Sequence, residues 1–574
     1  VTAGEGRILL AVHISADNNL SSYVPSILRR IRRGTDINPN LTALVLADRR
    51  GENNTQLFRS QDGEMTAVEI LEDVWGGTEL DMADPAVLTW FLRYARESVT
   101  PDRMIVSLVG HGVGPTPDLA WVPETPPEEP PASPVDGIPP LPRGLEFTPA
   151  DVTDGSYLST PDLARALIDA TDNGANPFDI LFFDQCFQGN LDVLYEVRNV
   201  AEHFVASPNY AWLVAPYAQY ISQMAPAADN AAIAEAIINR YQANLNNRHP
   251  NAIFWASSGD IEQIATAVSG LGAALLAALD DGQVDAIRRA SFNSAFVDTT
   301  QCGRGEFVLG PPDELVGAGS FALNLRRGFG ENDAYGVFDA ASQVLTALGN
   351  LKSSSRSGSP YIAPDEVWEY NDRITILAPL ARNLAADIVW RASIYQAADE
   401  QTAVWTPDPA QTVLVQGTYA FVKDHGWDEF INAWYGELTP TVGNWCHYTP
   451  PSIVLDEDAE ALPMTAELSG SNGVTLTWDE PTEADPSAYH LYGRLPLGID
   501  LELLDVIPSG AEALAGSGYA AVEAVSVTLE NLFPGEYTFL LVAVDEDDRP
   551  LAQSGEIGVA VEWAGEIFLP VIAR

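Results

Sequence analysis

Residues 178–190 read FDILFFDQCFQGN, an apolar run that stops abruptly at an aspartate, a glutamine and a cysteine. Apolar side chains occupy nearly every position of FDILFF, with no solvent-facing alternation. Such a run predicts a strand covered on both faces, as in a parallel sheet. Other segments share the pattern: RILLAVHI (7–14), LTALVLAD (41–48) and RMIVSLVGHG (103–112). Between them lie helical stretches, SYVPSILRRIRR (22–33), DPAVLTWFLRYARES (84–98) and STPDLARALIDAT (159–171), with another helix from about 188 and a short strand starting HFVASPNY (203–210). Pro85 stands where a first helical turn accepts it. Strands alternating with helices predict an α/β fold with a mostly parallel sheet flanked by helices.

In such a sheet, reactive groups gather beyond the carboxyl ends of the strands. Two of the runs end in reactive residues: IVSLVGHG delivers His111, and DILFFDQC delivers Cys186, 75 positions later. If these strands are neighbours, an imidazole and a thiol leave the same edge. An imidazole can take the thiol proton, or return it to a leaving amine. The backbone N–H groups of Gly112 and Cys186 could then form an oxyanion hole, because glycine lets the main chain approach a substrate closely. The plainer alternative is that Cys186 is a small buried hydrophobe.

The 574 residues are too many for one ordinary core, so two to four domains are expected. Thirty basic against 80 acidic residues give a net charge of −50, which excludes ordinary nucleic-acid or anionic-membrane binding. Only Lys352 and Lys423 are lysines; Arg29, Arg30, Arg32 and Arg33 form the one basic cluster. No run reaches the roughly 18–20 apolar residues of a membrane span, and IATAVSGLGAALLAAL (264–279) reads as a core helix. The cysteines are Cys186, Cys302 and Cys446; in an extracellular setting the economical pairing is Cys302 with Cys446, leaving Cys186 free. Metal-ligand spacing is absent from the cysteines and histidines, and no metal is assigned.

Twelve prolines fall between Pro115 and Pro149, so the insertion 113–150 is expected to be irregular and exposed. Helices are expected at 229–246 and 261–290, and strands around 252–258 and 412–422. The last hundred residues change to short alternating strands divided by Gly, Pro and Asp, the pattern of an antiparallel sandwich. Trp478, Leu532, Tyr537 and FPGEYTFLLVAVD (533–545) resemble the core of a fibronectin type III domain over about 463–563.

The pieces AVHISADNNL, SLVGHGVG, DGSYLSTPDLARAL, FDILFFDQCFQGNLDVLYEV, VASPNYAWLVAPY and YAFVKDHGWDEFINAWY together resemble the clostripain-like cysteine peptidases over roughly 7–440. That family has the caspase-like fold of caspases, metacaspases, legumain and gingipains. The resemblance implies a secreted or surface endopeptidase acting on proteins or peptides, with Cys186 as nucleophile, His111 as general acid/base and no third triad member. It also places Asp184 in the S1 pocket, opposite a P1 arginine or lysine. Arg143, the only basic residue of the insertion, is then a candidate self-processing site. Calcium dependence occurs in the family but remains unassigned; Asp151, Asp154 and Asp545 to Asp548 read equally well as solvated turns. The alternative is a non-catalytic extracellular binding or assembly protein on a peptidase-like scaffold. The expected organisation is a caspase-like core at 1–217, a mixed second region at 218–460, a sandwich at 461–565 and a tail at 566–574.

Overall fold

The computed structural model describes residues 6–112, 114–116, 118–122, 150–151, 156–245, 251–292, 294–295, 297, 315–356, 372–378, 402–408, 411–416 and 419–437. In the C-terminal part it describes 460–469, 473–479, 481, 486–494, 502–508, 526–529, 532, 535–544 and 550–561. Arg143, Cys302, Cys446, Asp154, Asp545 to Asp548 and the tail lie outside the described residues.

The chain begins with β1 (Ile8–Ala16), α1 (Val24–Ile37), β2 (Leu41–Arg49), β3 (Gln56–Gln61), β4 (Glu64–Ala67), α2 (Leu71–Trp75), α3 (Pro85–Val99) and β5 (Arg103–Val109). It continues through β6 (Asp118–Val122), β7 (Ala150–Asp151), β8 (Ser156–Tyr157), α4 (Thr160–Ala170), β9 (Phe178–Asp184), α5 (Leu191–Glu196), β10 (Ala201–Ala206), α6 (Tyr217–Ile221) and α7 (Asn230–Asn244). Next come β11 (Asn251–Ser257), α8 (Ser258–Asp280), α9 (Val284–Phe292), β12 (Leu315–Gly317), α10 (Ala318–Phe329), α11 (Val337–Gly349) and β13 (Lys352–Arg356). β14 (Thr375–Leu377), β15 (Thr402–Asp408), β16 (Gln411–Gln416), α12 (Ala420–Asp424) and α13 (Trp427–Glu437) follow.

Nine strands form one mixed sheet, in the order β13-β11-β10-β9-β5-β1-β2-β3-β4. The five central strands, β10 to β2, are parallel; the pairs β10/β11, β11/β13, β2/β3 and β3/β4 are antiparallel. All nine residues of β1 are buried, as a strand covered by helices on both faces requires. One face carries Ile8, Leu10, Val12 and Ile14 of β1 with Ile180 and Phe182 of β9, packed with Ile27 and Ile31 of α1, Tyr217 and Tyr220 of α6, and Ile237 and Tyr241 of α7. Strong caps fix where helices start: Asp84 accepts from Ala86 N, Ser159 from Asp162 N, and Asn190 from Asp192 N and Val193 N.

Several expectations are corrected. The strand expected at 103–112 ends at Val109, so His111 lies beyond it. The helix expected at 261–290 is two, α8 and α9, broken where Gly282 takes a φ of +80°. The strand expected at 412–422 stops at Gln416, and α12 begins at Ala420. Within the proline-rich insertion, the proline-free run Asp118–Val122 forms β6, paired antiparallel with β16. The β3–β4 hairpin was missed, although its Asp62-Gly63 turn, with φ of +51° and +76°, is a strong hairpin signal. α8 is long and apolar enough to cross a membrane, but it buries Ile261, Ile264, Val268, Leu271 and Leu275 completely, and its Gly272 lies against Trp427 of α13.

The chain divides into two compact units. The first comprises Val1–Val284, Ser294–Ala322 and Ala340–Thr441; the second comprises Asp285–Asn293, Leu323–Asp339 and Val442–Arg574. The second contains β17 (Glu460–Ala461), β18 (Met464–Ser469), β19 (Gly473–Trp478), β20 (Ala488–Arg494), β21 (Glu502–Pro508), β22 (Ser526–Leu529), β23 (Gly535–Val544), β24 (Pro550–Gln553) and β25 (Ile557–Val561). One sheet runs β17-β24-β23-β20-β21, with β25 also on β23; the other is β18-β19-β22. Trp478 and Leu476 of the second sheet share a core with Tyr489, Leu491, Phe539 and Leu541 of the first, giving a two-sheet sandwich.

Candidate active site

β5 and β9 are adjacent and parallel, with Val109 opposite Asp184. His111 and Cys186 each lie two residues past that last pair, beyond strands that run about 4.8 Å apart. The two turns also interlock. A Cβ on Gly112 would collide with the Cys186 carbonyl oxygen and come within 2.8 Å of Gln188 Nε2; one on Gly114 would lie 3.3 Å from the Phe187 carbonyl oxygen. Glycine is required here because the histidine turn lies directly on the backbone of the cysteine turn.

The cysteine turn is anchored from the loop that follows β10. Phe187 N donates to Asn209 O at 2.9 Å and Gly189 N to Ser207 O at 2.7 Å. Phe187 has a φ of +59°, a left-handed conformation that a bulky residue adopts only when its surroundings impose it. The Cys186 sulfur accepts from Ala211 N at 3.4 Å and donates to Ala211 O at 3.8 Å. Burial pushes its thiol up to about 11, with Asp184 adding in the same direction and the Ala211 hydrogen bond opposing.

His111 Nε2 lies 2.6 Å from Asn19 Oδ1, in the loop after β1. With that oxygen accepting, Nε2 carries the proton and Nδ1 of the neutral ring is the basic nitrogen. Burial lowers the imidazole below its ordinary value. With the thiol pushed up and the imidazole pushed down by burial, both groups are neutral at rest.

Asp184 is the last residue of β9 and 2% exposed. Its Oδ2 accepts from Tyr217 OH at 3.2 Å, and that hydroxyl lies 2.8 Å from Ser107 Oγ. Oδ1 is buried without a partner among the described residues. Burial raises the carboxyl to about 7, against the opposing Tyr217 hydrogen bond. An incoming cation would find a free acceptor and would favour ionisation.

Behind the cysteine turn, His13, Ser15, Gln185 and Gln188 border a cavity of about 20 Å³, enough for one water molecule. Burial pushes His13 down to about 4, so this histidine stays neutral under ordinary conditions. Among the described residues no cluster of three or more His, Cys, Asp or Glu side chains could hold a metal ion. Sequence reading named His111, Gly112, Asp184 and Cys186, and the structure brings these to one sheet edge. It does not name Asn19, Ala211 or Tyr217, which touch the site from loops whose path no local pattern reveals, although the segments that hold them, AVHISADNNL and VASPNYAWLVAPY, are among the pieces that carry the resemblance.

The sequence model of the Clostripain family matches residues 12–127 and 138–356. Among solved structures, a secreted C11 cysteine protease from Bacteroides thetaiotaomicron in complex with an irreversible peptide inhibitor is 17% identical; the match covers 67% of this chain and 96% of that chain, with a TM-score of 0.47. An inactive zymogen C11 protease from Parabacteroides distasonis is also 17% identical, over 66% of this chain and 94% of that chain, with a TM-score of 0.43. No curated protein matches the chain.

Proposed function

The chain belongs to the clostripain family and is a cysteine-type peptidase, and from that premise we propose that it is an endopeptidase cutting after arginine or lysine through a Cys186–His111 pair. The observation that carries this reading is the Val109–Asp184 register, which gives the two reactive side chains equal overhang on neighbouring strands. Neutral partners at rest imply that the thiol proton moves to His111 Nδ1 as sulfur attacks the scissile carbonyl carbon. The substrate must first displace the Ala211 contact from the sulfur. Gly112 N–H and Cys186 N–H then stabilise the oxyanion, and His111 returns the proton to the leaving amine as the thioester forms. Water, deprotonated by the same imidazole, then attacks the thioester carbonyl; the carbon–sulfur bond breaks, the acid product leaves, and the imidazolium returns the proton to the Cys186 sulfur. This chemistry uses no cofactor.

Asp184 supplies P1 selection: its free Oδ1 offers an acceptor to a guanidinium or ammonium group. The sandwich is proposed as a fibronectin type III-like module, and the enzyme as extracellular. The test is labelling with an arginine-directed acyloxymethyl ketone, together with a fluorogenic panel varying P1. Wild type should be alkylated at Cys186 and cleave Arg and Lys substrates; Cys186→Ala should do neither. An unlabelled wild-type thiol without peptide cleavage in reducing buffer would favour the non-catalytic scaffold instead, and equal cleavage after neutral residues would remove the basic-P1 assignment.

A further inference from the structure

We propose that Arg30, on α1 and outside the catalytic turns, is a positioning residue for substrate selection, because it clamps the strap of residues 210–217 that touches the nucleophile at one end and the S1 acid at the other. The proposal rests on the assignment of Asp184 to S1 made above.

The strap follows β10. Near its start, the N–H and carbonyl of Ala211 hydrogen-bond the Cys186 sulfur. At its end, Tyr217 opens α6 and places its hydroxyl between Asp184 Oδ2 and Ser107 Oγ. A P1 side chain reaching Asp184 beside Cys186 therefore passes a wall made by this one segment. Between its ends the strap has no regular ladder. Its internal backbone bonds span two residues: Val214 N to Trp212 O at 2.7 Å and Tyr217 N to Ala215 O at 2.8 Å. Ala215 is fully buried at a φ of +37°, which an alanine keeps only when neighbouring structure holds it there.

Asn251 of β11 donates to Tyr210 O at the start of the strap, and two further side chains hold it from regular elements nearer Ala215. Tyr241 OH of α7 donates to Trp212 O at 3.0 Å. Arg30 Nη1 donates to Val214 O at 2.5 Å and to Ala215 O at 3.1 Å. Hydrogen bonds from a charged donor are stronger than neutral ones. Here they end on the two carbonyls flanking the left-handed turn. The base of the clamp is firm: α1 packs on α6, where a Cβ on Gly34 would come within 2.6 Å of Ile221 Cδ1. Arg29, Arg32 and Arg33 are exposed on the same helix, as Arg30 is, and serve as internal controls.

The experiment compares Arg30→Ala, Arg30→Lys and Arg33→Ala in the full chain, with KM and kcat for matched P1-Arg and P1-norleucine substrates and Tm as a check on folding. Arg30→Ala should raise KM for the Arg substrate about tenfold, leave kcat within about threefold and leave the norleucine KM unchanged. Arg30→Lys should restore part of the loss, and Arg33→Ala should match wild type. Unchanged Arg-over-norleucine selection in Arg30→Ala would overturn the proposal. So would equal losses on both substrates accompanied by a fall in Tm, the mark of a merely structural role. A wild type without basic preference would strike the Asp184 assignment; the clamp then stands or falls on whether Arg30→Ala, and not Arg33→Ala, raises KM for the P1 residue that wild type prefers.

Discussion

The carboxyl edge of the nine-stranded sheet and the C-terminal sandwich are built by different rules. At the sheet edge, Phe187 and Ala215 hold left-handed backbones, Asp184 is a buried carboxyl with a free oxygen, and a thiol is bound to a loop amide. In the sandwich, no non-glycine residue among those described has a positive φ, and large side chains such as Trp478, Tyr489 and Phe539 simply fill the space between two sheets. The first region keeps conformations and charges that are locally unfavourable, which proteins retain where chemistry needs them. The second spends its residues on burial. Substitutions should separate the two: at the edge they change activity more than stability, and in the sandwich the reverse.

The largest effect is expected at Cys186. Cys186→Ala removes the proposed nucleophile and should lower kcat/KM by at least about 10⁴-fold, while Tm, read by calorimetry, moves little because one thiol is exchanged for a hydrogen. Residual activity within tenfold of wild type would transfer the nucleophile's role elsewhere. Next is Trp478→Ala, which empties a core shared by both sheets and should cost roughly 3–5 kcal/mol in the stability of the sandwich, followed by urea titration with circular dichroism. Peptidase activity below the unfolding midpoint should survive; if kcat fell in step with sandwich stability, the two regions would not be separable as described.

Asp184→Asn tests both properties at once. Burial holds the carboxyl at about 7, above its ordinary 3.8. Between those values the native state keeps a proton that the unfolded chain has lost, so this group's contribution is complete below pH 4 and is lost as pH rises through 7. Asparagine has no such proton to lose. The variant should therefore gain on wild type as pH rises, by on the order of 4 kcal/mol above neutrality, with the difference vanishing in acid. Its KM for Arg substrates should rise roughly 100-fold, through loss of a charge-assisted pair. In wild type, kcat/KM for Arg substrates should climb as pH passes 7, where the free enzyme's Asp184 ionises. A flat Tm difference across pH would mean the carboxyl is not held protonated.

What was legible in the sequence divides along the same line. Runs such as ILLAVHI and DILFF announced buried strands because covering both faces leaves no polar alternation, and the terminal His-Gly and Asp-Gln-Cys followed from where those runs stop. The sandwich was equally readable, since strand alternation and turn residues are local. The strap was not. Ala211, Val214, Ala215 and Tyr217 sit in AWLVAPY, which carries no turn signal for a left-handed alanine, and their partners Cys186, Arg30 and Asp184 lie 25, 184 or 185, and 33 positions away. Long-range contacts of this kind leave no periodicity. The split between α8 and α9 was in principle visible at Asp281-Gly282, where a left-handed glycine ends a helix.

The smallest effect is the sharpest test of the comparison, because one chemical change can be made in both regions. Ala215 at the sheet edge and Ala543 within β23 are both fully buried, but Ala215 has a φ of +37°, whereas Ala543 is a strand residue with negative φ, paired with Tyr489 and, beside a register shift, with Ala552. Alanine to glycine removes the same methyl group and adds the same unfolded-chain entropy at each. At Ala543 nothing offsets these losses, and stability should fall by roughly 1–2 kcal/mol. At Ala215 the relief of a left-handed alanine, worth about 1 kcal/mol, should cancel most of the loss and leave Tm nearly unchanged. The quantity to measure is the difference between the two variants in urea melts of the respective transitions. Equal losses would show that the edge carries no backbone strain, and the contrast between a strained functional rim and a relaxed sandwich would then rest on Asp184 and Phe187 alone.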